Sequence, residues 1–135
     1  MFRVYLRLVS DSGDPDSVTR AVGRTPDEVW RVGETSPRSG RPRKFSSWKV
    51  CFGPKNIVGS PDGALNELMS WGLPTARVIR ELATEGGWEA SLVVVQEFRD
   101  PDNVFEKGIV LEAELIEWLA VAGAAVDIDQ YIYYE

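Results

Sequence analysis

The sequence predicts an α+β fold: a two-layer sandwich with helices packed on one face of a four- to five-stranded mixed or antiparallel sheet. A single domain spanning residues 1–135 is expected from the length. Three observations carry the prediction. Residues 2–9, "FRVYLRLV", alternate apolar and polar side chains, the period of a half-buried strand. Asp14-Pro15-Asp16 and Ser60-Pro61-Asp62 each set a capping residue, a proline and an acid in the order that opens a helix. Strand-like and helix-like patterns then alternate to the end of the chain, giving the order βαβαβαβ.

The elements follow in turn. The first strand directs Phe2, Val4, Leu6 and Leu8 one way and Arg3, Tyr5 and Arg7 the other. A short helix carries Val18, Ala21 and Val22 and stops at Gly23. In "TPDEVWRVGE", Val29, Trp30 and Val32 suggest a short extended piece ending at Gly33, where the chain turns at positive φ. Trp30 is expected to hold so short a segment by burying its large ring. "TSPRSGRPRK" reads as a mobile, solvated loop. "FSSWKVCF" (45–52) is a second strand, with Trp48, Val50 and Phe52 inward and Lys49 and Cys51 outward.

From Ser60 a helix runs through Ala64, Leu65, Leu68 and Met69. Pro74 breaks it, so a kinked or paired helix is expected, continuing through Val78, Ile79, Leu82 and Ala83 to Gly86-Gly87. "WEASLVVVQEF" (88–98) is a third strand and "RDPDN" a turn. Leu111, Leu115, Ile116 and Leu119 mark a last helix ending at Gly123. In the final strand (125–134), Asp127, Asp129, Tyr131 and Tyr133 share one face, opposite Val126, Ile128, Ile132 and Tyr134. The architecture is ferredoxin-like in spirit. Pairing of Arg3 and Arg7 with these acids predicts that the first and last strands are neighbours at the sheet centre, joined by an Arg–Asp ladder.

Composition excludes more than it assigns. The chain has no histidine and one cysteine, which removes Ser-His-Asp and Cys-His nucleophilic systems and the usual zinc sites. No phosphate loop, dinucleotide fingerprint or nucleophile elbow occurs. No cofactor and no metal are expected. "DSGDPD" (Asp11, Asp14, Asp16) and "DPDN" (Asp100, Asp102, Asn103) have the look of calcium-loop fragments but lack the spacing of an EF-hand, and capping or turn formation explains them better.

No apolar run approaches the ~20 residues of a membrane helix. The amino-terminus lacks a signal-peptide pattern, so a cytoplasmic location is expected. The net charge of −6 argues against nucleic-acid binding. Residues 36–55 nonetheless hold six cations and no acid. Within them, Arg38, Arg41, Arg43 and Lys44 form a candidate anion-contact loop. Cys51, outward beside Lys49, reads as an inert strand cysteine.

The order of certain motifs resembles the start of the bacterial family known as domain of unknown function 4279. They are Asp14-Pro15, Gly23, Thr25-Pro26, Trp30, Gly33-Glu34, Ser47-Trp48, the broken helical pair, Gly123 and "DIDQYIY" (127–133). The resemblance covers nearly the whole chain. It implies a small bacterial α+β domain and lends no activity and no catalytic residues. The long Arg/Pro loop and the uncapped "VLEAEL" depart from the family pattern.

Two functional expectations follow. The first is a non-catalytic protein-interaction module, immunity-protein-like by analogy, binding through an exposed sheet face that carries Arg3, Tyr5, Arg7, Asp127, Asp129, Tyr131 and Tyr133. Its partner would be another protein or a second copy in a homodimer. The alternative is a small-ligand sensor or enzyme using the Arg/Asp/Tyr groups of that same face, with the Arg38–Lys44 loop as a wall.

Overall fold

The computed structural model describes residues 1–100, 102 and 108–133. The order is β1 (Phe2–Ser10), α1 (Pro15–Val22), β2 (Glu28–Trp30), β3 (Ser46–Ile57), α2 (Asp62–Met69), α3 (Gly72–Gly86), β4 (Glu89–Phe98), α4 (Ala113–Ala122) and β5 (Ala125–Ile132). The five strands form one mixed sheet in the order β2-β3-β1-β4-β5. Strand β1 runs antiparallel to both β3 and β4, and β5 runs parallel to β4. The helices pack on one face of the sheet, so the predicted α+β sandwich is the fold observed.

The alternation in β1 places Phe2, Val4, Leu6 and Leu8 in the core beneath the helices, each at most 2% exposed. Trp48 and Phe52 of β3 and Leu92 and Val94 of β4 extend that layer, and Val18, Leu68, Ile79, Leu115 and Trp118 close it from the helix side. Hydrogen bonds pin the layers. The Trp48 indole N–H donates to Thr19 Oγ1 at 3.0 Å, and that of Trp118 donates to the Gly72 carbonyl at 2.9 Å.

The caps follow the sequence closely. Asp14 Oδ1 accepts from the Asp16 N–H at 3.0 Å, and Gly23, Gly87 and Gly123 end their helices in the left-handed region. Helix α2 differs in detail. Ser60 Oγ accepts from the Asp62 N–H, so Pro61 itself occupies the cap position. The predicted helix break comes before Pro74, at Gly72 with φ +79°, and Pro74 lies in the first turn of α3, where its missing N–H costs no helical bond.

Several expectations are corrected. Strands β1 and β5 are not neighbours, because β4 lies between them and β5 is at the edge. The reason was in the "LVVV" run of β4. Val93 and Val95 point away from the helices yet are 1% and 5% exposed, and a strand apolar on both faces belongs inside the sheet. The last helix turns its stripe of Leu115, Trp118, Leu119 and Ala122 to the core and leaves Ile116 exposed. Val126, Ile128 and Ile132 are on the helix-side face of β5 but are 38%, 43% and 53% exposed, since that face is not closed over at the sheet edge. Tyr134, expected among them, lies outside the described residues, as does Asn103.

The Arg/Pro segment is not a loose loop. Gly33 N–H donates to the Arg43 carbonyl and Arg43 N–H to that of Glu34, and Thr35 bridges Pro42, which makes a hairpin arm. Arg31 ties this arm to the start of α1, reaching Asp16 at 2.7 Å, Asp14 at 3.7 Å and Glu34 at 3.6 Å. Trp30 is only half-buried. It lies on the side away from the helices, under the Arg43 guanidinium at 4.0 Å and against Phe45. Stacking therefore holds the short β2, while the other four tryptophans are buried in the helix-side core.

Candidate functional site: the helix-free sheet face

Strand register aligns the polar face in rows, since paired residues on neighbouring strands project to the same side. Tyr5 has Cys51 of β3 on one side and, across Val93, Asp127 of β5 on the other. Arg3 and Asp129 flank Val95 in the same way. Arg7 lies between Lys49, whose other neighbour is Glu28, and Ser91. The sequence-predicted residues Arg3, Tyr5, Arg7, Asp127, Asp129 and Tyr131 therefore share one face, but in two columns separated by the valines of β4. Tyr133 follows the end of β5, held by its N–H to the Phe98 carbonyl, with the Arg99 guanidinium 4.5 Å from its ring centre.

That separation rearranges the charges. Arg3 pairs with Glu97 of β4 at 3.4 Å, and Glu97 also takes Arg99 at 3.2 Å. Lys49 is placed directly opposite Arg7, an unfavourable like-charge pairing. Its ammonium leans away, toward Glu28 at 3.9 Å and over the Tyr5 ring at 4.3 Å. Among the described residues, Arg7 has no carboxylate within 4 Å and Asp127 and Asp129 have no cation within that distance. The expected Arg–Asp ladder is thus replaced by a longer-range attraction between Arg7 and Asp129.

The proton affinities of the face follow from this crowding. A hydrogen bond with Asp127, aided by slight desolvation and the Asp127 charge, pushes the Asp129 carboxyl above its ordinary range against the pull of Arg7. Burial raises the Tyr5 phenol, with Asp129 and Asp127 adding to it and Arg7 and Arg3 opposing. Burial also raises the Cys51 thiol despite Lys49, so its nucleophilic thiolate is scarce at neutral pH.

An open depression of about 330 Å³ lies at one end of this face, lined by Arg3, Tyr5, Asp27, Lys49, Cys51 and Lys55 among others. Arg38, Arg41, Arg43 and Lys44 are not in its lining. Arg38, Arg41 and Lys44 are exposed on the hairpin arm, and Arg43 is engaged with Trp30, so the arm does not wall the depression. Among the described residues no three metal-ligating side chains come together. No helix there is long and apolar enough to cross a membrane.

Sequence reasoning turned Lys49 outward but did not count it, Glu97 or the two valines among the candidate residues of this face. Lys49 and Glu97 needed the register to be seen as partners of Tyr5 and Arg3, whereas the valines were legible in the apolar run itself. Asp14 and Asp100 serve as cap and turn: each accepts from an N–H two residues on. Searches of curated proteins and of solved structures find no match to the chain. The family model described as Domain of unknown function (DUF4279) matches residues 1–133, and the chain belongs to that family.

Proposed function

We propose that this protein is a non-catalytic protein-interaction module that binds a partner protein through the helix-free face of its sheet. The observation that carries this reading is a set of charges on that face that have no ion partner within 4 Å among the described residues: Arg7 on β1, and the mutually crowded Asp127 and Asp129 on β5. A partner that offers a carboxylate to Arg7 and a basic group to the acid pair relieves both. The overall charge of −6 favours encounter with a basic protein by steering. An immunity-protein-like role in a bacterial cytoplasm fits this pattern by analogy.

The second reading, a small-ligand sensor or enzyme, has the 330 Å³ depression in its favour. Two of its three cations are already engaged, Arg3 by Glu97 and Lys49 by Glu28, which leaves Lys55 to hold an anion.

The test is affinity capture from native lysate with wild type and an Arg7→Glu/Lys49→Glu variant that keeps its circular dichroism spectrum. A partner held by wild type and lost by the variant supports the module. A partner held equally by both refutes the face assignment. Stabilisation by a small anion, lost on Lys55→Glu, favours the sensor reading.

A further inference from the structure

The two edges of the sheet are unlike. Strand β2 is three residues long, is flanked by the hairpin arm, and is followed directly by the charged Arg31. Strand β5 is eight residues long with an unbroken register on β4, and it has no proline, lysine or bulge to deter a further strand. Its helix-side residues Val126, Ile128 and Ile132 are 38–53% exposed.

The ladder fixes which backbone groups face outward. Tyr133 N–H donates inward to the Phe98 carbonyl of β4. Backbone groups alternate sides along a strand, so Asp127, Asp129 and Tyr131 also bond inward. Val126, Ile128, Gln130 and Ile132 then present their N–H and C=O groups to the open edge.

We infer that this edge pairs with β5 of a second copy of the chain, antiparallel and centred on Gln130, to give a continuous ten-stranded sheet. In that register Gln130 meets its own copy and Ile128 meets Ile132 of the second copy, all outward-bonding residues. Asp129 meets Tyr131 and Asp127 meets Tyr133, so each carboxylate faces a phenol that can donate to it. The neighbouring registers are worse. Centring on Asp129 sets Asp129 against itself, and centring on Ile128 sets Asp127 against Asp129. Centring on Tyr131 places Ile132 opposite Gln130 and loses the isoleucine pairs. The strand is therefore self-complementary in one register, as a two-fold interface requires. The inference shares Asp127 and Asp129 with the face proposed above, but its backbone pairing is independent of Arg7 and Lys49, which are on the inner strands β1 and β3.

Sedimentation equilibrium of the full chain over a range of concentrations tests it. Wild type is expected at twice the 15.1 kDa monomer mass. Ile128→Pro removes an N–H used only across the edge, a change an edge strand tolerates, and should give a folded monomer. Tyr131→Asp sets acid against acid twice across the seam and should weaken the dimer about tenfold or more. Adding Asp129→Lys to that variant turns each clash into an ion pair and should restore it, while Arg7→Glu/Lys49→Glu leaves the dimer intact. A wild type that stays monomeric throughout overturns the inference, including one whose β5 takes a strand from a different protein. A dimer indifferent to Tyr131→Asp, or not restored by Asp129→Lys, overturns it as well.

Discussion

Replacing Trp118 by Phe tests the seam between α4 and the α2–α3 break. Trp118 is 2% exposed, its indole N–H donates to the Gly72 carbonyl at 2.9 Å, and its ring meets Trp71 edge-on at 6.5 Å. Trp71 in turn packs on Phe52 of β3 at 5.3 Å, so the indole links α4 through Trp71 to the sheet. The smaller ring leaves a void where the indole's second ring was and an acceptor without its donor. Large-to-small changes in cores and lost hydrogen bonds together set the expected cost at about 2–4 kcal/mol. For a domain of this size that lowers Tm by roughly 10 °C. Urea unfolding followed by circular dichroism gives the number, with an unchanged slope showing that the denatured state is unaltered. Trp118→Ala should cost more, toward about 5 kcal/mol. A Trp118→Phe loss under about 1 kcal/mol would refute the reasoning, since it falls below even the lone hydrogen bond plus a small cavity.

Three further outcomes follow from the same geometry. A Cβ on Gly13 would sit 2.7 Å from the Trp88 indole, so Gly13→Ala should destabilise by about 1–3 kcal/mol in urea unfolding. Asp129 binds its proton more tightly in the folded chain than the ordinary 3.8, so its contribution is present below that value and is lost as pH rises through the folded value. Asp127→Asn should bring the Asp129 titration back down, seen by carboxyl NMR, and remove that loss of stability toward neutral pH. The Tyr5 phenol, raised by burial, should ionise above 10.0, with the associated stability lost as pH climbs through that region. Phenolate absorbance should show a late-titrating group that disappears in Tyr5→Phe.

Local chemistry was legible residue by residue. Asp14 caps α1, Gly23, Gly87 and Gly123 end their helices, and Gly33 turns the chain, each because the requirement involves atoms a few residues away. The alternation in β1 named its buried side correctly for the same reason, since a strand's period of two is intrinsic. The pairing of β1 with β5 was misread because charge complementarity in sequence says nothing of what lies between two strands. The apolar run in β4 outweighed it: burying both faces of Leu92–Val95 gains far more than an exposed ion pair.

By itself, then, the sequence determined the fold class, the element order, the caps and which side of each strand is polar. Those depend on short-range sterics, backbone hydrogen bonding and hydrophobic periodicity. Tertiary structure alone decided which polar residues meet. It gave Arg3 to Glu97, set Lys49 over Tyr5 and stacked Arg43 on Trp30, and among the described residues it left Arg7 and the Asp127–Asp129 pair without an ion partner within 4 Å. Charged side chains at a surface contribute about 1 kcal/mol or less apiece, too little to choose their own neighbours. They take the positions that core packing assigns to their strands, and the candidate interaction surface of this protein is what that packing leaves exposed.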